Sequence, residues 1–123
     1  MIVGRVDRLG IVVSSLCAAH CALGAVLSTA AVAGGFLADE RFELLFVGVA
    51  VLIAVIALGA GYREHRAAPP LWIGAGGLLL LASARLVHDL ELAEVALSVA
   101  GAGTLVAAHV VNLRSLRRAK ACA

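Results

Sequence analysis

The chain has 123 residues and a formal net charge of +2, and 63% of its residues are hydrophobic whereas only 15% are charged. Soluble domains are usually about 45–50% apolar and about 25% charged. A chain this short has too little interior to bury that surplus of apolar side chains, so much of its surface must face lipid. The basic residues form no patch interleaved with aromatic residues, and we therefore do not expect nucleic acid as a partner.

Four apolar segments bounded by charged residues predict an all-α integral membrane bundle of four transmembrane helices. A helix needs about 20 predominantly apolar residues to cross a bilayer. We place the spans at about 11–32, 44–61, 71–87 and 95–113, within a single membrane domain that covers residues 1–123. The first segment follows Arg5 and Arg8, as a signal peptide would, but it is too long for one, and we expect it to be retained.

The basic residues are distributed unevenly between the two ends of these spans. Eight of the ten Lys and Arg residues lie on the side of the two termini, and only Arg41 and Arg85 lie on the other. Because cytoplasmic loops carry the excess of basic residues, we expect the N- and C-termini in the cytoplasm. Six of the eight acidic residues fall on the outer side. They could raise the local concentration of cations there, or serve only as solvated loop residues.

Small residues recur at four-residue spacing in three of the spans. In lipid, such residues let two helix backbones approach closely. We therefore expect three helix-packing pairs, which are Gly24 with Ser28, Ala57 with Gly61, and Gly103 with Ala107.

The segment Cys17-Ala18-Ala19-His20-Cys21 lies within the first span. On a helix, residues at i, i+3 and i+4 share one face, so Cys17, His20 and Cys21 present two thiols and an imidazole to one point. This ligand set suits soft or borderline cations such as Zn²⁺, Cu⁺ and Hg²⁺. Buried cysteine also serves as a small packing residue. We nevertheless expect a metal site, because ionisable residues inside a span are usually functional.

A second histidine, His109, lies in the cytoplasmic half of the fourth span, with Asn112 on the same face at i+3. It could complete the metal site, support it from outside the ligand set, or hydrogen-bond a neighbouring helix, and the sequence leaves these roles open. We expect His65, in a cytoplasmic loop, to be solvated. Three weaker metal-ligand candidates are Glu43 and His88 at the outer side and Cys122 in the basic tail.

Three blocks of the sequence resemble the MerC family of membrane proteins. The first joins Asp7-Arg8-Leu9-Gly10 to Ser15-Leu16-Cys17-Ala18-Ala19-His20-Cys21, the second is Gly61-Tyr62-Arg63-Glu64-His65-Arg66, and the third is Ala108-His109-Val110-Val111-Asn112-Leu113-Arg114. The resemblance implies a four-span protein of the bacterial inner membrane that takes part in mercuric-ion uptake. It also implies that Cys17 and Cys21 are the metal-binding thiols and that His20 marks the wider MerC-domain branch.

The chain departs from the family pattern at two places. Only Cys122 is available where relatives in mercury operons carry several cytoplasmic cysteines, and Phe42-Glu43 stands where many relatives have a histidine. Both departures favour a broader role with thiophilic metals, including zinc, in which Glu43 acts as an outer ligand.

These features together predict membrane transport of a thiophilic divalent metal ion, Hg²⁺ or Zn²⁺, without an organic cofactor. We do not expect an enzyme, because the sequence has no nucleophile–base arrangement, phosphate loop or dinucleotide fingerprint. Two alternatives stay open. One is a metal-binding sensor or assembly protein that does not transport, and the other is a membrane electron carrier with haem held by His20 and His109. Lipid and the metal ion are the expected partners. The sequence also allows a homodimer, in which a second copy of the chain is the partner, because four thin helices leave little room for a pore.

Overall fold

The structure, a computed structural model, describes residues 2–29, 40–87 and 89–121. Four helices account for nearly all of them: α1 (Ile2–Thr29), α2 (Glu40–His65), α3 (Pro69–Leu86) and α4 (Glu91–Ala121). Each is long and apolar enough to cross a membrane, and the described residues contain no strand. The predicted fold class, an all-α bundle of four membrane-spanning helices, is therefore confirmed.

The helix ends follow from local sequence. Pro69 and Pro70 occupy the first turn of α3, where their missing N–H groups cost nothing. At the end of α2, Arg66 adopts a positive φ of 55° and its N–H donates to the carbonyl of Tyr62, which closes the helix in the manner usual for glycine. Helices α1 and α4 extend beyond the apolar segments because their basic residues are good helix formers whose charged ends reach the interface.

Helices α2 and α4 each contact all three other helices, and α4 packs most extensively, against α1 and α3. A small core of buried residues, including Leu58, Leu81 and Leu105, lies where α2, α3 and α4 meet. Large apolar side chains on the outside are exposed, among them Trp72 at 76% and Leu79 at 68%. Such an apolar exterior fits contact with lipid rather than water.

Helices α3 and α4 approach each other closely at Gly77 and Gly101. A Cβ atom added to Gly77 would lie 3.0 Å from the carbonyl oxygen of Gly101, and one added to Gly101 would lie 2.9 Å from that of Gly77. The two backbones therefore touch, as small residues allow in membrane helices. At the C-terminal end of α3, Arg85 donates a 2.7 Å hydrogen bond to Glu94 in the first turn of α4.

The predicted small-residue pairs had different outcomes. Ala57 is fully buried and Gly61 lies against Asn112, so the pair on α2 is confirmed as a packing face. The pair on α4 is wrong for contacts within this chain, because Gly103 and Ala107 are exposed and no atom lies within 4 Å of a Cβ at Gly103. A Cβ at Gly24 would likewise meet nothing within 4 Å, and the side chain of Ser28 lies outside the described residues.

The contrast between Gly101 and Gly103 gives a direct test of the α3–α4 contact. We expect Gly101→Ala to destabilise the bundle by about 1–3 kcal/mol, because the new methyl group forces the α3 backbone away. Gly103→Ala, the same substitution two residues on, should be neutral or stabilising by up to about 1 kcal/mol, because alanine is the better helix former. The free energy of unfolding of each variant is measured by titration with SDS, with far-ultraviolet circular dichroism as the signal. Equal effects from the two variants would contradict this packing.

Candidate metal site and a buried polar network

The cysteine turn forms a regular part of α1. Cys17 is only 2% exposed, and His20 and Cys21 are half-buried. Because no proline interrupts the helix here, the three side chains keep the shared face that their spacing predicts. The His20 ring lies against Phe46 of α2, with ring centroids 5.5 Å apart and planes tilted by 34°.

Cys17 also belongs to a buried stripe along α1. Asp7, Gly10, Ser14 and Cys17 are all buried and follow one another at alternating spacings of three and four residues. This is the repeat of a helix face packed on neighbouring helices. Polar and small residues thus continue from the thiol toward the end of the bundle where α1 begins and α4 ends, here called the terminal end.

At the terminal end, Asp7 links α1 to α4 by two hydrogen bonds. Its carboxyl group is 0% exposed. His109 donates from Nδ1 to one carboxyl oxygen over 2.8 Å, and Asn112 donates from Nδ2 to the other over 2.8 Å. A buried carboxyl group is costly unless such donors satisfy it. The contact therefore fixes α1 against α4.

Helix α2 joins the same network through Asn112 and His65. Asn112 donates from Nδ2 to the carbonyl of Ala57 over 3.2 Å, so its Oδ1 is left to accept a bond from His65 Nε2 over 2.7 Å. The Nδ1 atom of His65 accepts from the N–H of Ala67 over 2.9 Å, which places the His65 proton on Nε2. The network of Asp7, His65, His109 and Asn112 therefore connects three helices.

Two glycines make room for this network. A Cβ atom at Gly10 would overlap the ring of His109, and one at Gly61 would overlap the amide of Asn112. The imidazole and the amide therefore pack directly on the backbones of α1 and α2. Glycine is needed at both positions because even a methyl group would displace the network.

The Nε2 atom of His109 is buried and makes no hydrogen bond within the part of the chain that the structure describes. With the Nδ1 proton directed at Asp7, the neutral ring leaves a lone pair on Nε2. Histidines that bind metals commonly donate one ring N–H to a carboxylate while the other ring nitrogen binds the ion. The bond from His109 to Asp7 is the first of these two contacts. Here, however, Nε2 lies against the backbone of α1, where a Cβ atom at Gly10 would be 2.4 Å from it, so the packed bundle leaves no room for an ion at this nitrogen.

The structure does not bring His109 to the cysteine turn. Its ring packs against Gly10, which lies seven residues, or about 10 Å of helix rise, from Cys17. Zinc–ligand bonds are only about 2.0–2.3 Å long. Among the residues described, no group of three or more His, Cys, Asp or Glu side chains could hold a metal ion. Of the roles left open for His109, the structure shows the hydrogen bond to a neighbouring helix.

The other predicted site residues fall into two groups. Metal binding at Cys17, His20 and Cys21 stays a prediction: the three residues lie on one turn of α1, but as placed in this structure they do not form a group that could hold a metal ion. The remaining candidates cannot be placed, because the side chain of Glu43 and the whole of His88 and Cys122 lie outside the described residues.

Sequence reasoning missed two members of the network. His65 was expected to be solvated, and this is wrong, because it is half-buried and bonded to Asn112. Asp7 was noted as the first residue of a block that carries the family resemblance, and no buried contact was expected for it. The signal available was the position of the four residues: they come from all three sequence blocks that carry the family resemblance, and these blocks meet at one place in the fold.

Four apolar helices around a buried polar network define a small multi-pass membrane protein. The profile of the family described as MerC mercury resistance protein matches residues 7–114, which include the whole network and the cysteine turn. The chain therefore belongs to the MerC family and is a membrane protein related to mercury resistance. Comparison with curated proteins and with solved structures found no match.

Proposed function

We propose that this protein carries a thiophilic divalent metal ion, Hg²⁺ or Zn²⁺, across the bacterial inner membrane, with both termini in the cytoplasm. The observation that carries the proposal is the placement of Cys17 and Cys21 one turn apart on a membrane-spanning helix of a MerC-family chain. Two thiolates neutralise a divalent cation and so remove much of the cost of moving its charge through lipid. His20 offers a third ligand from the same turn.

The buried stripe on α1 supports a route from the thiols toward the cytoplasm. An ion that leaves Cys17 would pass Ser14 and then reach the level of Gly10, where Nε2 of His109 would accept it only when α1 and α4 move apart, because the ring packs on the Gly10 backbone. Asp7 holds that imidazole in place from its other nitrogen. In this proposal His109 receives the ion after the thiols release it, and the two sites act in sequence rather than as one.

The small number of ligands on the cysteine turn favours a carrier over a closed binding site. Structural zinc sites surround the ion with four protein ligands, whereas the turn offers three, Cys17, His20 and Cys21. A two-thiol site with one neighbouring imidazole binds an ion yet leaves positions open for exchange. We therefore favour transport over a sensor or assembly role.

The haem alternative finds no support in the geometry. His20 lies ten residues, or about 15 Å of helix rise, from Gly10, against which His109 packs. Two axial ligands flank the same iron atom, so imidazoles at such different levels of one bundle do not form a haem site.

Flux into proteoliposomes tests the proposal. Hg²⁺ is presented outside as its charged glutathione complex, which does not cross lipid unaided, and Zn²⁺ and Cu⁺ are tested in parallel with a chelator inside. We expect protein-dependent accumulation of Hg²⁺ or Zn²⁺ that increases with pH, because thiols must lose protons to bind metal. Stoichiometric binding without accumulation would overturn transport in favour of a closed site. A Soret band in the purified protein would overturn both in favour of haem.

A further inference from the structure

A cavity of about 320 Å³ opens at the terminal end, between α1, α2 and α4. Four basic side chains line it, Arg5 and Arg8 from α1 and Arg117 and Lys120 from α4, with Glu64 of α2 as the one acid among its lining residues. None of the four cations forms a salt bridge with a described residue. The cavity therefore has an excess of positive charge that the described residues do not neutralise.

The floor of the same cavity is apolar. Leu113 and Leu116 of α4 line it, Leu116 is only 5% exposed, and Leu113 lies 3.6 Å from where a Cβ of Gly4 would be. Leu113 and Leu116 follow the network residue Asn112 within about one helical turn, where the apolar segment of α4 ends. The cavity thus combines an apolar base with a cationic rim at the depth where a helix leaves the bilayer.

Membrane proteins usually carry an excess of basic residues on the cytoplasmic side, but this rule does not explain why four basic side chains line one cavity. Orientation in the membrane depends on how many basic residues lie near the ends of the spans, not on whether they share a cavity. Arg63 and Arg114 lie at the same end of the bundle and do not line the cavity. The four lining cations come from two helices far apart in sequence, so the fold itself brings them together.

We propose that this cavity binds the phosphate headgroup of an anionic membrane lipid. Arginine and lysine side chains suit phosphate, and basic pockets between membrane helices are known to hold anionic headgroups. A free phosphate ion would gain nothing from the apolar floor, whereas the glycerol and first acyl carbons of a lipid cover it. The bound lipid would hold the end of α1 against the end of α4, beside the network centred on Asp7.

Thermal unfolding of the full chain in detergent tests this proposal. The additions are phosphatidylglycerol, phosphatidylcholine with the same acyl chains, and inorganic phosphate. The pocket variant is Arg8→Gln/Arg117→Gln, and the matched control is Arg63→Gln/Arg114→Gln, which removes the same charge from the same end. We expect phosphatidylglycerol to raise the Tm of the wild type and of the control by about 5 °C, and that of the pocket variant by less than half as much.

The other additions decide the identity of the ligand. Phosphatidylcholine and inorganic phosphate should leave every Tm unchanged. Equal stabilisation of the pocket and control variants by phosphatidylglycerol would overturn the proposal, and so would stabilisation by inorganic phosphate of the size seen with the lipid. If the pocket variant does not fold, Arg5→Gln/Lys120→Gln replaces it. Native mass spectrometry should then show fewer bound phosphatidylglycerol molecules than on the control, and an equal number would overturn the proposal.

Discussion

Replacing Cys17 and Cys21 together by alanine is expected to lower the affinity for Hg²⁺ at least about 100-fold and to reduce uptake to the level of empty vesicles. Loss of groups that merely support a ligand already costs about 10–100-fold in metal affinity, and here both thiol ligands are lost. Alanine is the fitting replacement because Cys17 is buried and alanine adds no polar group. Equilibrium dialysis of the purified variant measures the affinity.

The control for this prediction is Cys122→Ala, which removes the third thiol of the chain outside the predicted spans. We expect it to bind Hg²⁺ as the wild type does. Each single variant, Cys17→Ala and Cys21→Ala, should lose most of the affinity, because a two-thiol site fails when either ligand is missing. If the double variant binds as tightly as the wild type while remaining folded, the ion binds elsewhere and the assignment fails.

The second large effect concerns stability. Asp7→Ala leaves the Nδ1 donor of His109 and the Nδ2 donor of Asn112 without their buried acceptor. Leaving a buried hydrogen-bonding group without its partner costs about 1–3 kcal/mol in soluble proteins, whereas single hydrogen bonds between membrane helices contribute about 0.6–1.7 kcal/mol. With two such bonds lost, we expect a loss of about 2–4 kcal/mol in the free energy of unfolding, measured by SDS titration.

Two further variants test whether the stability lost in Asp7→Ala comes from the hydrogen-bond network or only from the removal of a negative charge. Glu64→Ala removes an exposed acid from the same end of the bundle, and its effect should stay within about 0.5 kcal/mol. Asp7→Asn keeps one acceptor oxygen for Asn112 and an amide group that His109 can accept from in its other tautomer, so it should recover part of the stability. A loss at Asp7→Ala no greater than that at Glu64→Ala would show that the network does not hold α1 to α4.

The membrane bundle could be predicted from the sequence because hydropathy is a local property. Each helix has its own apolar segment, and charged residues separate these segments along the chain. The geometry of the cysteine turn was predictable for the same reason, since Cys17 and Cys21 lie within one helical turn. No partner from another helix is needed to place them on the same face.

The polar network could not be predicted in this way, because its partners are distant in sequence. His109 and Asn112 lie 102 and 105 residues from Asp7. Asp7 precedes the apolar segment of its helix and therefore reads as a solvated acid, although the packing of α4 buries it completely. Residue spacing also does not show which face of a helix is packed. For this reason Gly103 was expected to lie at a helix contact, whereas the structure places Gly101 at the contact with α3.

X-ray absorption at the metal edge shows directly whether Cys17 and Cys21 bind the ion, because it reports which atoms surround the metal. The sample is the Cys122→Ala protein loaded with one equivalent of Hg²⁺ or Zn²⁺, in which Cys17 and Cys21 are the remaining thiols. We expect two sulfur neighbours per metal ion, with zinc–sulfur distances of about 2.3 Å, and their loss in the protein that also carries Cys17→Ala and Cys21→Ala. A first shell of nitrogen and oxygen atoms alone would contradict this assignment.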